Sequence, residues 1–235
     1  MPKETNLNLL NHAKKVEHKE FINDLEYNKR IWKVPWFILI MCFLQISLYW
    51  IACMRQQLMF MPETINEYWR YFTYMLLHSD VLHLSMNVCL QFVIGFCLES
   101  EQGHLKVACI YVIGGVAGSL ATLYLQPQLS LMGASAGVYA MLMSHIPHLL
   151  KNFHNLPYRY LRILALVILF ISDMCFTTFH VLINHNTNPR ICLEAHAAGA
   201  ISGVVFGFLI FSANYAKTLT RRRLRAEGRG CDQTV

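Results

Sequence analysis

A serine framed by glycines stands at Gly133-Ala134-Ser135-Ala136-Gly137. Soluble serine hydrolases use this G-x-S-x-G spacing to raise a nucleophilic hydroxyl on a strand-to-helix turn. Here the surroundings are apolar, "LMGASAGVYAML" over 131–142, with no strand-forming, water-soluble context. A serine nucleophile needs a base for its proton and donors for the charge that develops on the attacked carbonyl oxygen. His196, in "EAHAAG", is the candidate base. His83 and Asn87 are four residues apart, hence on one helical face, and are candidate donors together with the Ser135 backbone N–H. Tyr139, one turn after Ser135, is a candidate to stack on the imidazole. Glu194 lies on a different helical face from His196 and Asp173 lies deeper in its own span, so the chemistry expected is that of a Ser135–His196 dyad.

These residues must be held by elements suited to an apolar chain. Of the 235 residues, 55% are hydrophobic and 14% charged. Soluble domains carry about 25% charged residues, so the composition points to a membrane. No polar stretch is long enough for a separate soluble domain. The net charge of +6 sits mainly at the two ends beside apolar segments, which suits a membrane surface better than nucleic acid. Eight cysteines (42, 53, 89, 97, 109, 175, 192 and 231) include no C-x-x-C pair, and most fall in apolar segments. They read as small core residues, with neither a disulfide framework nor a zinc site. The N-terminus has neither the apolar core of a secretory signal nor the acid-poor character of a transit peptide.

Crossing the hydrocarbon as a helix takes about 20 mostly apolar residues. Six spans are expected, near 35–54, 81–98, 106–125, 131–150, 161–183 and 191–213. An even number leaves both ends on one side, with all but three of the 20 Lys and Arg residues; only Arg55, Arg70 and Arg190 fall opposite. Positive charge marks the cytosolic face. The expected organisation is therefore a cytosolic tail (1–34), a transmembrane domain (35–213) and a basic cytosolic tail (214–235), with no seventh helix. Residues 55–80 form the longest extracytosolic loop, and its aromatics (Phe60, Tyr68, Trp69, Tyr71, Phe72, Tyr74) favour the headgroup region.

Polar groups inside apolar spans are costly and tend to be functional. Ser135 and His196 each fall about five residues into a span entered from outside, roughly 6–10 Å deep at 1.5 Å per residue. His83 and Asn87 stand near the start of another such span. Three spans thus bring polar groups to one shallow layer. Gly199, Gly203 and Gly207 repeat every four residues on the face of His196, and Gly133 and Gly137 flank Ser135. Small residues let membrane helices approach closely, which would bring the serine hydroxyl within reach of the imidazole.

From about Trp69 to Phe211 the chain resembles the rhomboid intramembrane serine proteases. The resemblance rests on Trp69-Arg70, "HSDVLHLSMN" (78–87), Glu99, "GASAGVYA" (133–140) and "AHAAGAISG" (195–203). It implies an all-α, six-helix membrane bundle with a first loop half embedded in lipid. It also implies Ser135 as nucleophile, His196 as base, His83 and Asn87 as oxyanion donors, and a structural His78. Ala136 stands where many members carry glycine, a difference that bears on the turn around the nucleophile, and animal secretase-type members often have a seventh helix. The style is closest to the animal secretory-pathway group. That implies residence in the Golgi or plasma membrane, no cofactor, and single-pass transmembrane substrates such as epidermal growth factor-like precursors. The alternative is a catalytically silent rhomboid-like protein that escorts membrane clients. A transporter would need a deeper site and repeated halves. A metalloprotease would need H-E-x-x-H, and an aspartyl intramembrane protease a partner for Asp173.

Overall fold

The computed structural model describes residues 34–51, 54–153, 156, 159–183 and 192–211. The two expected tails, apart from Val34, lie outside the described residues, as does Arg190. From Pro35 onward the chain forms one compact unit. Among the described residues there are six long helices: α1 (Trp36–Tyr49), α2 (Val81–Gln102), α3 (His104–Leu125), α4 (Ser135–Asn152), α5 (Arg159–Ile183) and α6 (Leu193–Ile210). α2, α3, α5 over Arg159–Phe179, and α6 are each long and apolar enough to cross a membrane. This is an all-α helical membrane bundle.

Two helices depart from the spans expected. α1 has 14 residues, shorter than 35–54, and gives way at Trp50 and Ile51 to tight turns. The fourth helix begins at Ser135 and not near 131. Leu131 is instead paired with Phe60 through two backbone hydrogen bonds, of 2.9 and 3.1 Å. Gly133 then turns the chain at φ +122°, a conformation L side chains rarely adopt. Ser135 is therefore the first residue of its helix, and His196 the fourth of its own.

α4 is the least apolar of the six and also the most enclosed. Every residue from Ala136 to Leu142 is buried, and so are Ser144, His145, His148 and Asn152. It packs most extensively against α6 and α3 and barely touches α5. Protein rather than lipid surrounds it, so its polar side chains can be satisfied by neighbouring helices.

Close approach makes this core possible. Gly199 and Gly203 of α6 lie so near α4 that a Cβ on either would run into the carbonyl oxygen of Ala136 or Ala140. Gly207 faces Pro147 and Ser144 in the same way. On the other side, Gly114 and Gly118 of α3 receive the side chains of Ala140 and Ala136. The small residues of α4 that meet α6 are thus Ala136 and Ala140. Gly133 lies in the turn before the helix, and Gly137 faces Tyr111 of α3. Dispersion gained over a long, tight contact substitutes for the hydrophobic drive that lipid removes.

Polar links tie in the outer helices. Glu99 is fully buried, and its carboxylate accepts from the Phe37 and Ile38 backbone N–H groups at 2.8 and 2.9 Å. It caps α1 from across the bundle, supplying acceptors to the unpaired donors of that helix start. Gln45 Nε2 of α1 lies within hydrogen-bonding distance of Gln91 of α2 (3.1 Å), Tyr111 of α3 (3.0 Å) and the Met75 carbonyl (3.3 Å), which share its two N–H donors. In the first loop, Arg70 bonds Glu67 at 2.5 Å and the Gln56 and Met59 carbonyls at 2.6 and 2.8 Å. Trp69 Nε1 donates to the Gln57 carbonyl at 3.3 Å. This folds 55–80 into a compact unit whose Tyr68, Trp69 and Phe72 remain exposed.

The glycine contacts predict a position-dependent cost. Gly203→Val should lose about 1–3 kcal/mol or more through overpacking. Ile201→Val, at an exposed site on the same helix, should stay within about 0.5 kcal/mol. Unfolding in mixed detergent followed by circular dichroism distinguishes the two.

Candidate active site

Ser135 Oγ and His196 Nε2 lie 2.8 Å apart. α4 presents the hydroxyl from its first turn and α6 the imidazole from its first turn, so the contact joins two helix starts. Both side chains are half-buried in a mostly buried bundle. For Nε2 to accept the serine proton, the ring must carry its own proton on Nδ1. That Nδ1 is buried and makes no hydrogen bond among the described residues. Among the described residues no carboxylate stands behind the histidine. Glu194 is instead engaged by Gln126 Nε2 at 2.9 Å and by the Cys192 thiol at 3.5 Å. The side chain of Asp173 lies outside the described residues.

Tyr139 takes over the orienting task. Its ring stacks on His196 with centroids 4.5 Å apart and planes within 22°. A stacked aromatic fixes the ring plane without adding charge, and such pairs contribute about 0.5–1.5 kcal/mol beyond area burial.

The turn before Ser135 is held from two sides. The Gly133 N–H donates to the Tyr74 carbonyl at 3.1 Å, and the Tyr74 hydroxyl donates to the Gly115 carbonyl at 2.8 Å. With the Phe60–Leu131 pair, this fastens the first loop to the approach to the serine. Because α4 starts at Ser135, the N–H groups of Ser135, Ala136 and Gly137 have no acceptor within the helix. They form the positive end of the helix beside the Ser135 hydroxyl. Ala136 lies within the helix and faces α3 and α6, so its methyl does not narrow the turn.

His83 lies over Gly133: a Cβ there would sit 2.9 Å from its Nε2. Its other nitrogen, Nδ1, is 3.0 Å from Ser79 Oγ, which donates to Asp80 Oδ2 at 2.7 Å. Asp80 also N-caps α2 by accepting from the His83 N–H at 2.9 Å. With the serine proton committed to Asp80, His83 Nδ1 carries a proton and Nε2 is the bare nitrogen of a neutral ring. Donation from Nε2 then requires a second proton on the ring or a turn of the Ser79 hydroxyl. Asn87 is buried one turn further on, and its amide donates to the His83 carbonyl at 2.9 Å, leaving its second N–H. His78 is buried beside His83, with ring centroids 5.1 Å apart. Burial pushes its imidazole down to about 3, so His78 is neutral there. From the sequence, Tyr74 stood only among the loop aromatics expected at the headgroups, whereas it is buried, and Ser79 and Asp80 were not singled out. Asp80 carried a signal, as an acid immediately before an apolar helix. Among the described residues no cluster of three or more His, Cys, Asp or Glu is arranged to hold a metal ion.

The rhomboid domain profile matches residues 65–213, more than half of the chain, which includes every residue of this site. The chain belongs to the rhomboid family. It is 33% identical over 170 residues to mouse Rhomboid-related protein 2, covering 72% of this chain and 56% of that protein. It is 34% identical over 151 residues to Rhomboid-related protein 1 of Caenorhabditis elegans, covering 64% and 42%. It is also 26% identical over 147 residues, covering 63% and 42%, to a C. elegans protein named Inactive rhomboid-related protein 2. The chain thus spans about half the length of the relatives it matches.

Gly133→Ala should be costly twice over, through its positive φ and through the methyl set against His83. The expected loss is about 1–3 kcal/mol, read as a lowered unfolding midpoint in detergent. An unchanged midpoint would mean that the turn is not strained.

Proposed function

We propose that the chain is an intramembrane serine endopeptidase. The observation that carries this reading is the 2.8 Å contact between Ser135 Oγ and His196 Nε2 at two helix starts, within a bundle of membrane-length helices. In the proposed reaction His196 takes the Ser135 proton as Oγ attacks a peptide carbonyl. The oxyanion forms beside the Ser135 N–H, with the Asn87 amide as a further donor and His83 Nε2 as another once the Ser79 hydroxyl turns to donate to Nδ1. The tetrahedral intermediate collapses by expelling the amine, protonated by His196, to leave an acyl-enzyme, and the same histidine then activates the water that hydrolyses this ester. Preformed donors at such a site contribute about 2.7–4 kcal/mol each in soluble hydrolases.

The substrates are single-pass transmembrane proteins, cut in or near their helix. A helix hides its carbonyls in hydrogen bonds, so residues that weaken it near the cut favour the reaction. The first loop and α5 flank the site and control access. By analogy with animal secretory-pathway rhomboids, growth factor precursors of the epidermal growth factor type are the substrate class. On the same reading the protein resides in the Golgi or plasma membrane, with both termini cytosolic and the site open to the lumenal or extracellular side. The second reading is a catalytically silent escort of membrane clients. A relative named as inactive keeps it in view, and the intact Ser135–His196 pair favours the first.

The test is cleavage of a tethered transmembrane reporter in reconstituted membranes. The native chain should cleave, and Ser135→Ala and His196→Ala, both folded, should fall to background; the equivalent losses in a soluble hydrolase are on the order of 10⁶-fold. Equal product from all three would defeat the assignment, and binding without product from the native chain would favour the escort. Tyr139→Phe keeps the stack and should retain most of the turnover. Tyr139→Ala should lose roughly twofold to tenfold, the equivalent of the stacking energy.

A further inference from the structure

The ring nitrogen of His83 nearest the serine turn is governed by a chain of contacts on the other side of the ring. Nε2 lies over Gly133, two residues before Ser135. Nδ1 lies 3.0 Å from Ser79 Oγ, and that oxygen lies 2.7 Å from Asp80 Oδ2. One hydroxyl therefore stands between two acceptor positions and has one proton to give. If the proton goes to Asp80, Nδ1 holds the ring proton and Nε2 is bare. If it goes to Nδ1, a neutral ring carries its proton on Nε2, on the side of the serine turn.

The carboxylate decides between the two. Asp80 is fixed in place as the N-cap of α2, with Oδ1 accepting from the His83 N–H at 2.9 Å. Burial pushes its carboxyl up, but the hydrogen bonds from the His83 N–H and the Ser79 hydroxyl outweigh burial and hold it below the usual carboxylate range. Asp80 is thus an ionised acceptor, and a hydrogen bond to a charged acceptor is roughly twice as strong as one between neutral groups. At rest the Ser79 proton belongs to Asp80, and the His83 nitrogen beside the serine turn is an acceptor. An oxyanion needs a donor there.

Two other histidines act on His83. His78 meets it edge to face, with centroids 5.1 Å apart, and is itself neutral. His196 becomes a cation when it takes the Ser135 proton, and a charge on one of these two rings opposes a charge on the other. A second proton on His83 is therefore disfavoured while the oxyanion exists. A turn of the Ser79 hydroxyl changes the tautomer without adding charge.

We propose that Ser79 and Asp80 are positioning residues that form a proton relay, which switches His83 from a resting tautomer with Nε2 bare to one whose Nε2–H donates to the oxyanion. Before attack, a water in the site gives a proton to Nε2. The Nδ1 proton passes to Ser79 Oγ as the serine's own proton passes to Asp80, which is half-exposed and returns it to water. One proton is taken from water at Nε2 and one is returned at Asp80, so the charge of the three groups is unchanged. Ser79 then donates to Nδ1. The functional half of this inference rests on the proteolytic reading above, whereas the resting tautomer is independent of it.

The experiment reads the His83 tautomer by nitrogen-15 NMR on the reconstituted full chain, labelled at the histidine ring nitrogens. Protonated and bare ring nitrogens resonate far apart. All 11 histidines carry the label, and His83 is assigned as the pair of signals lost in His83→Gln. The native chain should show a bare Nε2 at rest and a protonated Nε2 once a fluorophosphonate adduct places its oxygen in the oxyanion position. Asp80→Asn keeps an N-cap, but its amide can donate to Ser79 Oγ, so Nε2 should be protonated already at rest. In cleavage of a transmembrane reporter, Ser79→Ala should lower kcat about fivefold, the equivalent of one hydrogen bond, with KM little changed. Ser79→Thr, which keeps the hydroxyl, should restore most of the loss. A protonated Nε2 in the resting native chain, or a bare Nε2 in Asp80→Asn, would overturn the relay, as would an unchanged kcat in folded Ser79→Ala. A native chain that neither labels nor cleaves would sink the proteolytic reading, while the resting spectra of the native and Asp80→Asn proteins still decide whether Asp80 and Ser79 set the ring.

Discussion

The structure depends on the contact between α4 and α6, where the carbonyls of Ala136 and Ala140 lie against Gly199 and Gly203. No side chain fits between these backbones. That constraint sets the distance between two helix starts and hence between Ser135 and His196. In lipid, where apolar association gains little from leaving water, such contact must come from shape. The glycines of α6 are therefore as much part of the site as the histidine three residues before them. The same logic continues on α3, where Gly114 and Gly118 accept the methyls of Ala140 and Ala136. α4 is held between two helices that turn glycines toward it.

Around this core, buried polar groups fasten what glycine packing cannot. Glu99 caps α1, Gln45 joins α1 to α2 and α3, and the Tyr74 carbonyl and hydroxyl link the first loop to Gly133 and to α3. Each places an acceptor or donor where apolar surroundings would leave one unsatisfied, and an unsatisfied group there is expensive. The polar residues of the spans thus divide into two sets. One closes the bundle, and the other, at Ser135 and His196, leaves a hydroxyl and an imidazole half-buried and in contact.

Much of this was legible in the residues. Apolar length placed six helices, and the three-and-four spacing of small and polar residues brought Ser135, His196 and Tyr139 to one place. The start of α4 was not legible, because it is set by tertiary pairing: Leu131 bonds Phe60, 71 residues earlier, and Gly133 adopts a backbone conformation that hydropathy does not reveal. Gly133 and Gly137 look like a packing motif in sequence, yet one is a turn and the other faces α3. The protonation of His83 was equally hidden. It follows from the Asp80–Ser79 chain, and a hydroxyl that can either donate or accept has no sequence signature. The partners of Glu99 could be anticipated only as a need, since a buried carboxylate must find donors somewhere.

The central claim is that packing makes Ser135 nucleophilic by delivering it to His196. It is tested most directly by treating the reconstituted native chain with a fluorophosphonate and mapping the adduct by mass spectrometry. A single adduct at Ser135, lost in a folded His196→Ala protein, is the result this account predicts. An adduct at another residue, no adduct, or one at Ser135 that forms equally fast without His196 would contradict it.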